Sequence, residues 1–341
     1  MSARARSILL AALALLARAP ALADEPRDEA LQQRPGANCR ERYEAYLLTG
    51  YPRAFAASPT GTCGYAGGAG TRADAEALAL RHCGSACSIV ARSPDVPDRE
   101  AATPAEMRPA LRDPSFRHRG PASATGAVLW SHGARGQDTD ARTHTAAFVR
   151  ALNEAGWDVW RADRTEPALR RHEPARTHLD LAATRLREAG YSRLVLAGQS
   201  AGGWLSIEVA ARRPDIEAAI ALAPAIHGNR DLAGPLKDRA LAEFDSLFAR
   251  RANPATRLAV ALFEGDDFDP EPARRLATLR SRARDPGWPL LLIDRPDGLA
   301  GHDAGRGVPF ALRFRGCLAR FVALPALAPG LHDCATIQSA R

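Results

Sequence analysis

From residue 125 onward the chain alternates short, continuously apolar runs with longer stretches of helical periodicity. The runs fall at 127–131, 158–161, 193–197, 218–222, 258–263 and 290–293. Helical patterns fill the gaps at about 141–155, 175–189, 202–212, 236–251, 271–283 and 307–323. A strand with no polar alternation must be covered on both faces, and parallel strands require crossovers long enough to hold a helix. This texture predicts an α/β fold, with a mostly parallel sheet of about six core strands flanked by helices and right-handed crossovers. The composition allows it: 46% of the 341 residues are hydrophobic and 25% charged, so a large core needs no staples.

The first residues read differently. Arg4 and Arg6 precede an apolar run from Ile8 to Leu16 and the small-residue triplet Ala21-Leu22-Ala23. That is the layout of a secretory signal peptide over residues 1–23, with cleavage after Ala23. The expected product is an exported protein, periplasmic or secreted. No apolar run is long enough for a membrane span. Arg4, Arg6 and Arg18 leave with the signal and take the formal charge from +7 to +4. The remaining basic residues are interleaved with Asp and Glu, without a like-charged run or a nucleic-acid motif, so no nucleic-acid partner is expected.

Six cysteines follow: Cys39, Cys63, Cys83, Cys87, Cys317 and Cys334. An even number in an exported chain favours disulfides. The short local loops Cys83–Cys87 and Cys317–Cys334 are favoured, which leaves Cys39 for Cys63. Cys83 and Cys87 lack the further ligands of a zinc site. Between residues 37 and 92 a small α+β domain is expected, with a helix at 41–48, strands at 53–57, 62–65 and 88–91, and a helix from a Thr71 N-cap to His82. The turn Ser58-Pro59-Thr60-Gly61, then Thr71, Ala75, Ala79, Leu80, Cys83 and Cys87, resembles a small domain of exported bacterial proteins. That resemblance implies a structural or binding module. Residues 93–124, with six prolines, are expected to be an extended linker. The main α/β domain is then 125–341.

Chemistry concentrates at Gly198-Gln199-Ser200-Ala201-Gly202, between the apolar strand ending at Ala197 and the helical stretch from Gly202. A Gly-x-Ser-x-Gly turn there lifts the Ser oxygen above the sheet edge, with a helix N-terminus behind it to stabilise negative charge. In this context residues 125–325 resemble the α/β-hydrolase superfamily, on its serine-esterase and dienelactone-hydrolase-like side. A dienelactone hydrolase is expected to use Cys where this chain has Ser200.

The resemblance implies a triad in the order Ser, acid, His. The acid follows the strand at 258–263, where Asp266, Asp267 and Asp269 are available. Counting three from Glu264 selects Asp267, while the bend Glu264-Gly265-Asp266 offers Asp266. Asp269, before Pro270, suits a turn or cap. A calcium loop from Asp267 to Glu271 lacks its glycine and distal Glu. The base is expected at His302, in the loop after the last core strand. The oxyanion donors are expected from the amides of Ala201 and Ala134, or Arg135, with His132 bracing the turn. Trp204 and Phe268 are candidate substrate-binding residues, both having core packing as the alternative.

The stretch 223–253 is short for a lid, which favours an open cleft and a small-molecule ester substrate. No metal or cofactor is expected. A serine peptidase or amidase with the same triad is the alternative, and a non-catalytic binding protein on this scaffold is another. The oligomeric state is not legible in the sequence.

Overall fold

The computed structural model describes residues 37–93, 101–134, 145–162, 164, 167–227, 234–269, 271–285 and 287–339. The expected signal peptide lies outside them.

Near the N-terminus, α1 (Ala37–Leu48) and α2 (Arg72–Cys83) cover the two faces of a three-stranded antiparallel sheet, ordered β2 (Cys63–Gly67), β1 (Arg53–Ala57), β3 (Ser88–Arg92). The central strand β1 is buried along its whole length. Its alternate residues explain why: Phe55 and Ala57 pack with Tyr43, Tyr46 and Leu47 of α1, while Ala54 and Ala56 pack with Ala75 and Ala79 of α2. Thr71 caps α2 in a capping box with Asp74, and Gly84, at φ 109°, ends it. The disulfides are Cys39–Cys63, Cys83–Cys87 and Cys317–Cys334, the expected pairings.

The second sheet has eight strands. Six match the expected runs: β5 (Gly126–Ser131), β6 (Trp157–Ala162), β7 (Leu194–Gln199), β8 (Ala218–Leu222), β9 (Arg257–Leu262) and β10 (Pro289–Asp294). They run parallel in the order β10-β9-β8-β7-β5-β6. Each feeds two cores by alternation. Ala127 and Leu129 of β5 face one, Val128 and Trp130 the other; Leu258 and Val260 of β9 are likewise opposed to Ala259 and Ala261. Helices α4 (His172–Glu188), α5 (Ala201–Arg212), α6 (Pro235–Leu247) and α7 (Pro272–Arg284) pack on the first face. The second is covered by α3 (Val149–Glu154), α8 (Val308–Ala323) and α9 (Cys334–Ser339).

Two edge strands were not expected. β4 (Ala110–Arg112) comes from the proline-rich stretch and pairs antiparallel with β6, and β11 (Gly330–His332) pairs parallel with β10. Three residues are too few for a periodicity, so neither can be read from sequence. The proline-rich stretch is thus partly sheet. Its return along the sheet is held by buried Asp158, which accepts hydrogen bonds from the Arg119 and Gly120 amides, both at 2.8 Å, and from the Tyr191 hydroxyl at 2.7 Å.

The two sheets are joined by contacts at the end of α1. Leu48 enters the second core, and Arg150 of α3 donates to Thr49 O and Ser115 O while lying over the rings of Tyr51 and Phe116. Glu44 of α1 meets Arg315 of α8 at 2.8 Å.

Candidate active site

Ser200 stands between β7 and α5 at φ 56°, ψ −124°. A non-glycine residue reaches that region only under strain, of about 1–3 kcal/mol, that its surroundings must hold. Here the restraint is local and dense. The Ser200 amide donates to Leu222 O of β8 at 2.9 Å, and the Trp204 and Ala225 amides donate to Ser200 O at 3.0 and 3.2 Å. The flanking glycines are required by close approach: a Cβ on Gly202 would lie 1.9 Å from Ser131 O, and one on Gly198 would lie 2.4 Å from Gly202 C. Only hydrogen at both positions lets β7, β5 and α5 meet at this turn.

The loop after β5 lies against the serine. A Cβ on Gly133 would approach Ser200 Cβ to 3.1 Å and Gln199 Oε1 to 2.4 Å. His132 is buried, its Nδ1 is 2.7 Å from Gly133 O, and its carbonyl accepts from Arg164. It is therefore built into the turn. Burial pushes the Arg164 guanidinium down to about 10. Ala134 follows, exposed beside the turn, and Ala201 opens α5, its amide at the helix N-terminus. Arg135 falls outside the described residues.

His302 sits in the loop after β10, and that loop is joined to the one after β9. Glu264 and Ala300 form a parallel bridge, and the Gly301 amide donates to Glu264 O at 2.8 Å. Across this junction His302 Nδ1 lies 2.7 Å from Asp266 Oδ1. Gln199, next to Ser200, donates from its side-chain amide to His302 O at 3.1 Å. The loops bearing the serine, the acid and the histidine are thus tied to one another at the C-terminal ends of the strands.

Of the two candidates, the geometry places Asp266 against His302. Gly265, at φ 69°, turns the backbone sharply, so Asp266 points to His302 and is buried, whereas Asp267 is exposed. A count along the chain cannot register a left-handed bend. Asp266 also accepts from the Phe268 amide at 2.8 Å, which closes the turn. Phe268 is 40% exposed and its ring centroid is 4.3 Å from that of His302. Trp204 is placed differently from the substrate-binding expectation. It is buried in the core against Phe244 and His227, because the first turn of α5 faces inward.

A further residue escaped the sequence reading. Arg275 of α7 is a buried guanidinium 3.3 Å from buried Asp269 and hydrogen-bonded to Pro224 O at 2.7 Å. In sequence it is one arginine among many on a helix, with no signal to separate it from its exposed neighbours. Among the described residues no three His, Cys, Asp or Glu are grouped to hold a metal ion, and no helix is long and apolar enough to cross a membrane.

A mostly parallel eight-stranded sheet with helices on both faces is an α/β fold, and it carries the strained Ser200 turn after β7 and the Asp266 and His302 loops after β9 and β10. No family model and no curated protein matches the chain. Solved structures do. A puromycin-hydrolyzing peptidase of Mycobacterium tuberculosis is 14% identical over 66% of this chain and 38% of its own, with a TM-score of 0.47. Est1E from Butyrivibrio proteoclasticus is 17% identical over 63% and 94%, with a TM-score of 0.44. An esterase of Pyrococcus furiosus is 14% identical over 58% and 81%, with a TM-score of 0.43.

Proposed function

We propose that this protein is an exported serine hydrolase that cleaves carboxylic esters through an acyl-enzyme. The observation that carries the reading is the 2.7 Å Asp266–His302 contact on a loop bonded to the Ser200 turn. Asp266 orients His302 through Nδ1, which leaves Nε2 to take the proton from Ser200 Oγ as it attacks the ester carbonyl. The amides of Ala201 and Ala134 stabilise the oxyanion, each donor being worth about 3–4 kcal/mol. His302 then gives its proton to the departing alcohol. Water attacks the acyl-Ser200 with His302 again as base, releasing the acid and restoring the serine. Phe268 offers an apolar surface beside the histidine for part of the substrate.

Export is supported by the arrangement of residues 1–23 and by three disulfides that need an oxidising compartment. The test is intact-mass spectrometry after a fluorophosphonate probe, with Ser200→Ala in parallel. One adduct, absent from the variant, is expected. A folded protein that takes no adduct rules the mechanism out. Paired ester and amide model substrates then distinguish an esterase, expected to favour the ester, from an amidase.

A further inference from the structure

Arg275 projects from the first turn of α7 into the space behind the serine and acid loops. Both of its polar contacts belong to those loops. Nη1 donates to Pro224 O at 2.7 Å, and Nε stands 3.3 Å from Asp269 Oδ1; the guanidinium also lies over the Phe244 ring of α6, 4.7 Å from its centroid. Pro224 sits between Ala223, at φ 45°, and Ala225, whose amide bonds Ser200 O. Asp269 closes the acid turn, its amide donating to Asp266 O at 3.2 Å and its carboxylate accepting from the Glu271 amide. One side chain therefore spans the segment that braces Ser200 and the turn that aims Asp266.

The charges make the same point. Asp266 and Asp269 are both buried, and Arg275 is a cation within the electrostatic reach of each. Burial pushes the Asp269 carboxyl up and the Arg275 guanidinium down, each opposed by the other's charge. A buried ion pair is poor value for stability alone, since desolvation offsets its attraction. Its location, bridging two loops of one site, accounts for it better.

We propose that Arg275 is a positioning residue for hydrolysis: it holds the Asp266 turn in register with the Ser200 segment and balances the second carboxylate, so that the acid side of His302 carries the charge of one aspartate. The inference rests on the serine-hydrolase reading. Of the other charges on these loops, Asp303 pairs with Arg306 at 3.2 Å, Arg295 pairs with Asp294 at 2.8 Å at the end of β10, and Asp267 is exposed on the acid turn. Arg295 also acts on Asp269, and the Lys237–Glu271 pair joins α6 to the start of α7. Glu264 is exposed on the acid loop. Loss of Arg275 thus leaves one more uncompensated carboxylate, which favours the protonated imidazole.

The experiment compares fluorophosphonate labelling rates against pH for the full chain, Arg275→Gln, Arg275→Lys and the double variant Arg275→Gln/Asp269→Asn, with thermal unfolding measured on each. Arg275→Gln is expected to slow labelling roughly 10- to 100-fold, as loss of alignment does, and to move the acid limb to higher pH. Removing the Asp269 charge in the double variant moves the limb back. Arg275→Lys keeps the limb and lowers the plateau, because an ammonium cannot serve both loops. Should Arg275→Gln fail to fold, the lysine and double variants carry the comparison, with a wild-type plateau in both overturning the proposal. A folded Arg275→Gln with wild-type plateau and limb, altered only in melting temperature, also overturns it. Absence of labelling in the wild type would instead sink the hydrolase reading, and this inference with it.

Discussion

Asp266 and His302 lie 36 residues apart in sequence and 2.7 Å apart in space, and their backbones are joined before their side chains meet. The Gly301 amide bonds Glu264 O two residues before the acid, so the two loops form one short parallel junction beyond β9 and β10. Side chains held on such a junction are preorganised, because neither loop can move without the other.

Asp266 and Asp267 are adjacent, but Asp266 is buried against His302 while Asp267 is exposed. Asp266→Asn is expected to lower kcat about 10³- to 10⁴-fold by favouring the wrong imidazole tautomer. Asp267→Asn, on the exposed side of the turn, should stay within about twofold of wild type. Steady-state hydrolysis of a short-chain aryl ester by the two variants checks this. Equal losses would mean that the whole turn, rather than the carboxylate, is what matters.

Phe268 presents an exposed ring against His302. Phe268→Ala is expected to raise KM for longer acyl or aryl substrates by about 10-fold, the cost of losing roughly 1–3 kcal/mol of apolar contact. Short substrates should be little affected. A chain-length series measured for both proteins shows whether the difference grows with substrate size.

Gly202 leaves no room for a side chain. Gly202→Ala would drive a methyl group into Ser131 O and His132 O, both backbone atoms that cannot swing aside. A loss of about 2–4 kcal/mol in stability is expected, together with loss of labelling. Chemical denaturation gives the first and the probe the second. An alanine variant of wild-type stability would mean that the β5–α5 approach is looser than described.

His118 predicts a pH dependence of stability. Desolvation by burial pushes its imidazole down to about 4 from the ordinary 6.5, against the pull of Asp158 at 3.4 Å. The folded protein therefore resists a proton that the unfolded chain accepts. This contribution is full above pH 6.5 and is lost as the pH falls toward 4, amounting to about 3 kcal/mol at most. His118→Gln should show a shallower decline over that interval. Urea midpoints at a series of pH values measure it, and parallel declines in both proteins would assign the effect elsewhere.

Cys317 is buried in α8 and its disulfide to Cys334 fastens α9 to that helix. Replacing Cys317 and Cys334 by alanine closes no loop in the unfolded chain and should cost about 3 kcal/mol. The measurement is the change in unfolding free energy. A change near zero would indicate that packing of Ile337 alone holds the final helix.

Much of the architecture was legible in the sequence because burial on both faces of a parallel sheet writes itself into unbroken apolar runs. The six runs from 127 to 293 mark the six central strands, and the small residues around Ser200 mark a turn where three elements converge. Short edge strands leave no such trace: β4 and β11 are made by the edges they complete. The resemblance to α/β-hydrolases implied an acid after β9 and a histidine after β10. Which aspartate meets His302 was decided by one left-handed glycine, and whether Trp204 lines a cleft or a core by the rotation of α5. The place of Arg275 was decided in the same way. Its neighbours come from loops after β8 and β9, which are far apart in sequence and brought together by the parallel order of the strands. Periodicity records what each residue buries; only the assembled sheet sets which loops share one end of it.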